Sequence, residues 1–276
     1  MSSDEPSYVL GHSDRELARL ERQAAFFAEM TRDILLRAGL RPGMRVLDVG
    51  CGVGDVTAIA ADIVGHDGEV VGIDISREAL GVAEARMRAS GRRQAQFRET
   101  PLEAFDGIDG FDAVIGRFIL LHMADPAAVL VRLAQEARAG ARIAFIEMDM
   151  STAAAIPPLP LLATQIGHII ELYRRAGRQA DMGSQLFASY RAAGLSPDLV
   201  ALTRVASGHE LAGFEFVTES IRSLLPFITR LGVATAEEIG IDTLYDRLVA
   251  EAGAHEHCIF YPRLVGAWAA TGTVVA

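Results

Sequence analysis

Leu17, Leu20, Ala24, Phe27 and Ile34 recur at steps of three and four, with Thr31 on the same line. This spacing predicts a helix with one buried face. Ser13-Asp14-Arg15-Glu16 has the form of a capping box that opens it, and Gly39, just before Pro42-Gly43, closes it. From there the period shortens. Runs rich in Val and Ile predict strands at Arg45–Gly50, Glu69–Asp74, Gln94–Arg98, Phe111–Arg117 and Arg142–Met148. Helical stretches separate most of them, one after Gly54, one opened by Ser76, and one with Asp125 as N-cap and Pro126 at its first position. This alternation predicts an α/β fold, with a mostly parallel, doubly wound sheet carrying helices on both faces.

After Met150 the rhythm changes. Ser151–Pro160, rich in Ala and Pro, is neither helix nor strand throughout. The pattern then predicts a helix over Leu161–Ala176, a shorter one over Gln185–Ala193 and a strand over Leu199–Ala206. Two further helical stretches follow, the second opened by the capping box Thr235-Ala236-Glu237-Glu238, and a last strand over His257–Trp268. The expected organisation is an N-terminal cap helix over 1–40, a core over 41–150, and a helical lid insertion plus completion of the sheet over 151–276. Ile166, Ile169, Tyr173, Phe214, Phe216 and Tyr261 are candidates for an apolar pocket in the insertion, with ordinary helix core as the alternative.

Charge narrows the partners. With Lys+Arg 26 against Asp+Glu 36, the net charge of −10 disfavours a surface that holds nucleic acid or an acidic membrane. Arg86, Arg88, Arg92 and Arg93 form a basic cluster near a helix end and read as solvated surface. No apolar run reaches the roughly 18 residues of a membrane span, and Met1–Tyr8 lacks a signal pattern, so a cytoplasmic protein is expected. Cys51 and Cys258 have neither disulfide-framework nor metal-site spacing, and no metal is expected. The apolar Leu264–Ala276 offers a contact for a homodimer.

The most informative segment is Val46-Leu47-Asp48-Val49-Gly50-Cys51-Gly52-Val53-Gly54-Asp55, a strand that runs into glycines and then a helix. In a doubly wound sheet, ligands bind beyond the carboxyl ends of the strands. Asp74 ends the next strand, where a carboxylate can accept hydrogen bonds from both hydroxyls of a ribose. Two ligand classes compete, a dinucleotide such as NAD and S-adenosylmethionine. The dinucleotide fingerprint needs Gly or Ala where this chain has Asp55. Asp48 and Asp55 would repel a pyrophosphate and favour a sulfonium cation, although Asp55 can also serve simply to cap its helix, as an acidic residue in the first turn.

These residues, with Val70-Val71-Gly72-Ile73-Asp74, resemble the class I S-adenosylmethionine-dependent methyltransferases. Phe111-Asp112-Ala113-Val114-Ile115-Gly116-Arg117 and Leu121-His122-Met123-Ala124-Asp125-Pro126 resemble the fourth-strand region of their small-molecule members. The resemblance covers roughly Arg41 to Asp149. Tyr8-Val9-Leu10-Gly11-His12-Ser13 with Arg19-Leu20-Glu21-Arg22-Gln23 is similar to the N-terminal helix that covers the cofactor in many bacterial members. It implies a Rossmann-like, seven-stranded sheet and a small-molecule acceptor. It also implies that Asp48, Gly50, Cys51, Gly52 and Gly54 form the methionine side of the cofactor site, together with the backbone around Arg117. Asp74 would hold the ribose, Ile75 and Leu102 the adenine, and Tyr8 and Gln23 would cover the cofactor. Pro101 stands where an acidic residue usually meets the adenine amino group.

His122 is a candidate base for a hydroxyl acceptor, and Glu147, with Asp149, a candidate for orienting it or binding a cation, although without a third ligand no metal is expected. For each the alternative is a structural role, as a hydrogen-bonded turn residue or a strand end. The reading is methyl transfer to a small organic acceptor. An NAD-dependent oxidoreductase and a non-catalytic, S-adenosylmethionine-binding regulatory protein remain the alternatives.

Overall fold

The computed structural model describes residues 14–207, 212–253 and 256–272, with side chains in the first helix described from Phe26 onward. That helix, α1 (Asp14–Arg37), is followed by β1 (Arg45–Val49), α2 (Asp55–Val64), β2 (Glu69–Asp74) and α3 (Arg77–Ala89). Then come β3 (Ala95–Glu99), β4 (Ala113–Arg117), α4 (Pro126–Glu136), β5 (Arg142–Asp149), β6 (Ala154–Ile156), α5 (Pro160–Arg175) and α6 (Met182–Ala192). The rest are β7 (Asp198–Leu202), β8 (Val205–Ser207), α7 (Ala212–Arg230), α8 (Ala236–Ile239), α9 (Leu244–Gly253), β9 (Cys258–Phe260) and β10 (Arg263–Ala270). The Ser76, Asp125 and Thr235 side chains cap their helices as the residue pattern predicts.

The chain forms two units interleaved in sequence. The first holds the described residues of 24–148, 181–202 and 264–272. Its sheet has the order β3-β2-β1-β4-β5-β10-β7. The pairs β1–β2, β1–β4, β2–β3 and β4–β5 are parallel, and β7 runs antiparallel to β10. Because β1 lies between β2 and β4, the strand order reverses at its carboxyl end, which is where such sheets open a ligand crevice. Leu47, Val71, Val114, Ile143 and Phe145 alternate into a core closed by Leu130 and Leu133 of α4 and by Leu186 and Tyr190 of α6. The Tyr190 hydroxyl accepts from the Phe145 N–H and lies 3.1 Å from the Ile143 carbonyl and 2.9 Å from that of Ala267, joining β5 to β10.

Four expectations are corrected here. The helix expected over Gln185–Ala193 is not part of an insertion. Its apolar face packs on α4 in the sheet unit. The strand expected over His257–Trp268 breaks at Tyr261-Pro262, where proline has no N–H to continue a ladder, leaving β9 and β10 as separate strands. The strand expected over Leu199–Ala206 breaks at Thr203-Arg204, leaving β7 in the main sheet and β8 apart from it. Finally, Leu264, Ala267 and Ala269, in the described part of Leu264–Ala276, are buried within the main sheet and so offer no contact for a homodimer.

The second unit holds the described residues of 14–23, 149–180 and 203–263. In it, β9 pairs antiparallel with both β6 and β8. Leu162, Ile166, Ile169 and Leu172 form the buried face of α5, which packs on α7 and its Phe214, Val217, Ile221 and Ile228. Ile166, Ile169, Phe214 and Tyr261 are therefore ordinary core in this unit. Glu251 of α9 accepts from the Leu161 N–H at 2.9 Å, placing a carboxylate at the amino end of α5, where the helix dipole favours it. Among the described residues, no helix is long and apolar enough to cross a membrane.

Candidate functional site

The turn leaving β1 depends on glycine for two different reasons. Gly50, at φ +65°, occupies a region that side chains rarely tolerate, and a Cβ there would lie 2.5 Å from Cδ1 of Ile119. Gly52, at φ +52°, has nothing within 4 Å of the place its Cβ would take. The first glycine admits a neighbour, and the second leaves backbone open to a ligand.

Asp74 stands across from this turn. Its Oδ2 accepts from the Gly52 N–H at 2.9 Å and its Oδ1 from the Ser76 N–H at 2.8 Å. Each carboxylate oxygen can accept more than one hydrogen bond, so Asp74 keeps capacity for ligand hydroxyls. Ile75, beside it, is 63% exposed, an unusual state for a large apolar side chain and a ready flat contact for an aromatic base.

The expected negative charge of the glycine turn is largely compensated. Asp55 does not cap its helix, since Gly54 occupies that position without a side-chain bond. Instead it pairs with Arg86 at 2.7 Å, and Arg86 also donates to the Val53 carbonyl at 2.7 Å. Arg86 is thus a brace for the turn and not merely solvated surface, while Arg92 pairs with Asp62. Asp48 is 1% exposed and accepts from the Thr57 hydroxyl at 2.6 Å. Burial pushes its carboxyl up to about 7, against the opposing pull of Thr57 and Arg117. Repulsion of a pyrophosphate by two bare carboxylates is therefore a weaker discriminator than the residue pattern alone suggests. Cys51 is buried, and burial raises its thiol further.

At the end of β4, Arg117 donates to the hydroxyl of buried Thr31 at 2.8 Å and lies over the Phe118 ring. Burial lowers its guanidinium pKa, while Asp55 and then Asp48 oppose that shift. Phe118 has φ +56°, a left-handed conformation that costs on the order of 1–3 kcal/mol for a non-glycine residue. Its ring is held edge-on against Phe27 at 5.6 Å. The next residues form a short turn, Leu120–His122, that carries the candidate base His122, half-buried.

Glu147 has a different task from the one expected. It is fully buried, and its Oε1 accepts from the Ile119 N–H at 3.0 Å and the Leu120 N–H at 2.7 Å. Burial pushes its carboxyl up to about 8, despite these bonds. Such a group braces the turn from within, where the residue pattern offered it for orienting an acceptor. Asp149 accepts from the Ser151 backbone and hydroxyl and caps the turn that follows β5. Leu102 points into the core and its carbonyl accepts from Arg132 at 2.6 Å, whereas Ile75 is exposed. Tyr8 and the Gln23 side chain lie outside the described residues. Among the described residues, no group of three or more His, Cys, Asp or Glu is arranged to hold a metal ion.

A reversed strand order, an open glycine turn and a carboxylate at the end of β2 define a nucleoside-binding α/β protein. Residues 40–177 match the methyltransferase domain family, and the chain belongs to that family, of the class I, S-adenosylmethionine-dependent type. This decides between the two ligand classes in favour of S-adenosylmethionine. The chain is 34% identical over 137 residues to the O-methyltransferase cnsE of Penicillium expansum, covering 49% of this chain and 48% of that one. It is 36% identical over 121 residues to the ubiquinone biosynthesis O-methyltransferase of Paracidovorax citrulli, covering 42% and 49%. These matches span about half the length of each relative. The YcgJ protein of Bacillus subtilis shares the fold, with a TM-score of 0.54 at 18% identity over 88% of this chain and 100% of that one.

The residues present fit S-adenosylmethionine. Gly52 leaves open space where a side chain would stand, Asp74 retains acceptor capacity beside it, and Ile75 is exposed next to Asp74.

Proposed function

We propose that this chain transfers a methyl group from S-adenosylmethionine to a small organic acceptor. The observation that carries the reading is the carboxylate of Asp74 joined to the Gly52 N–H, with Ile75 exposed beside it. The glycine turn and the backbone around Arg117 would hold the methionine end, Asp74 the ribose and Ile75 the adenine. When bound, the cofactor supplies an electrophilic methyl group on a sulfonium.

The chain's own contribution is chiefly placement. Holding two reactants in line for displacement is worth about 7–11 kcal/mol of barrier in well-oriented systems. Asp74 fixes the cofactor's rotation by gripping hydroxyls, and the braced turn after β4 fixes what lines its methionine side. For a hydroxyl acceptor, His122 at the end of that turn accepts the proton, a role worth roughly 10²–10⁴-fold. An oxygen acceptor is supported by the two relatives named above, both O-methyltransferases by name.

The test is formation of S-adenosylhomocysteine, followed by mass spectrometry, across a panel of phenols, hydroxyquinones and aliphatic alcohols. Stoichiometric product methylation supports the reading. Cofactor binding without product on any acceptor favours the regulatory protein instead.

A further inference from the structure

Three features of the sheet unit lie in mechanical series. Glu147, at 0% exposure on β5, accepts from two successive backbone N–H groups, those of Ile119 and Leu120. Those residues follow Phe118, whose left-handed φ of +56° turns the chain sharply at the end of β4. Ile119 in turn occupies the space beside Gly50 that only a glycine leaves free, with its Cδ1 2.5 Å from where a Cβ would stand. Ile119 also crowds Gly116, where a Cβ would meet its Cγ2 at 2.9 Å. The side chain is thus seated between two glycines, one on β4 and one in the turn after β1.

We propose that Glu147 is a positioning residue for the cofactor site: by gripping the Ile119 and Leu120 amides it seats Ile119 against Gly50 and fixes the glycine turn. The proposal rests on the S-adenosylmethionine reading of that turn. Glu147 needs no contact with cofactor or acceptor for this. A strained turn persists only when its surroundings over-determine it, and two hydrogen bonds from backbone N–H groups to a buried carboxyl do that here. The same turn ends in His122, whose N–H bonds back to the Ile119 carbonyl at 3.0 Å, so one group sets both the loop and the candidate base.

Glu147 is also built to do this uncharged. Its Oε2 has no partner among the described residues and it lies in an apolar interior, where burial favours the neutral acid. A neutral carboxyl accepts through its carbonyl oxygen alone. Glutamine offers the same oxygen in the same place, whereas leucine offers none.

The experiment compares wild type, Glu147→Gln and Glu147→Leu by calorimetric titration with S-adenosylhomocysteine and by amide hydrogen exchange. Two N–H groups without an acceptor, one buried and one part-buried, should weaken binding by Glu147→Leu about tenfold or more, and Glu147→Gln should recover most of that loss. Exchange at Ile119, Leu120 and Gly52 should accelerate in Glu147→Leu and remain slow in Glu147→Gln. Should Glu147→Leu fail to fold, Ile119→Ala removes the seat on Gly50 without touching the carboxyl and should weaken binding several-fold in a folded protein. A folded Glu147→Leu with wild-type affinity and slow Gly52 exchange overturns the proposal, as does a Glu147→Gln no better than the leucine variant. Absence of binding by the wild type overturns the cofactor reading itself. In that case the Gly52 exchange rate still decides whether Glu147 fixes the turn.

Discussion

Asp74 and Gly52, 22 residues apart in sequence, are joined by a 2.9 Å hydrogen bond from the Gly52 N–H to Oδ2. The bond ties the end of β2 to the turn after β1, so the residue that would grip the ribose also shapes the turn that would receive the methionine end. Asp74→Ala should therefore weaken S-adenosylhomocysteine binding by about tenfold or more, the scale of losing charge-assisted hydrogen bonds. Calorimetric titration checks this, and unchanged affinity would remove Asp74 from the site.

Arg86 neutralises Asp55 at the start of α2. The pair is partly exposed, and such pairs contribute about 0.2–1 kcal/mol. Arg86→Gln removes the ion-pair partner of Asp55, leaving it with only the more distant charge of Arg117, which favours a cationic sulfonium over neutral S-adenosylhomocysteine. Because loosening of the turn affects both ligands, the ratio of their affinities isolates the charge. That ratio should move towards S-adenosylmethionine by up to about fivefold and shrink with added salt. A ratio independent of both substitution and salt would mean that Asp55 is too far from the sulfonium to be felt.

Stability should depend on pH through Asp48 and Glu147. Burial raises their carboxyls to about 7 and about 8 in the folded chain, from the ordinary 3.8 and 4.5. Above the ordinary values the unfolded chain releases protons that the folded chain keeps, so stability falls as pH rises through this window. Tyr190 is the titratable neighbour of Glu147, and its own pKa is raised by burial, which leaves it neutral throughout. Urea midpoints at pH 5 and pH 8 should fall more for wild type than for Glu147→Gln, and an equal fall in both would show that Glu147 ionises normally.

Tyr190→Phe removes the hydroxyl that meets the Phe145 N–H and the Ile143 and Ala267 carbonyls. With buried backbone groups left unpaired, the loss should be about 1–3 kcal/mol, read as a lower denaturant midpoint at unchanged slope. Cofactor affinity should stay within error, since Tyr190 lies in the core and not at the glycine turn.

The Rossmann-like sheet was legible in the sequence because its signals are local. Val46 to Val49, Val70 to Ile73 and Ala113 to Ile115 are short apolar runs bounded by turn residues, and Ser76, Asp125 and Thr235 mark helix starts by their own side chains. The glycine turn and Asp74 were legible for the same reason. The bracing of the site was not. Nothing local to Glu147 says that it reaches the amides of residues 119 and 120, and nothing local to Phe118 announces a left-handed backbone. Arg86 looked like solvated surface because its partner Asp55 is distant in sequence. The fate of the late strands also turned on a distant choice, since β9 pairs with β6 and β8 and leaves the main sheet to β7 and β10.

The central claim is that the turn after β1, with Asp74, receives S-adenosylmethionine. Calorimetric titration of the intact chain with S-adenosylmethionine, followed by competition with S-adenosylhomocysteine and with NAD, tests it most directly. The account predicts saturable binding at a single site, displaced by S-adenosylhomocysteine and untouched by NAD. A folded protein that shows no heat at high micromolar ligand, or one from which NAD displaces the ligand, contradicts it.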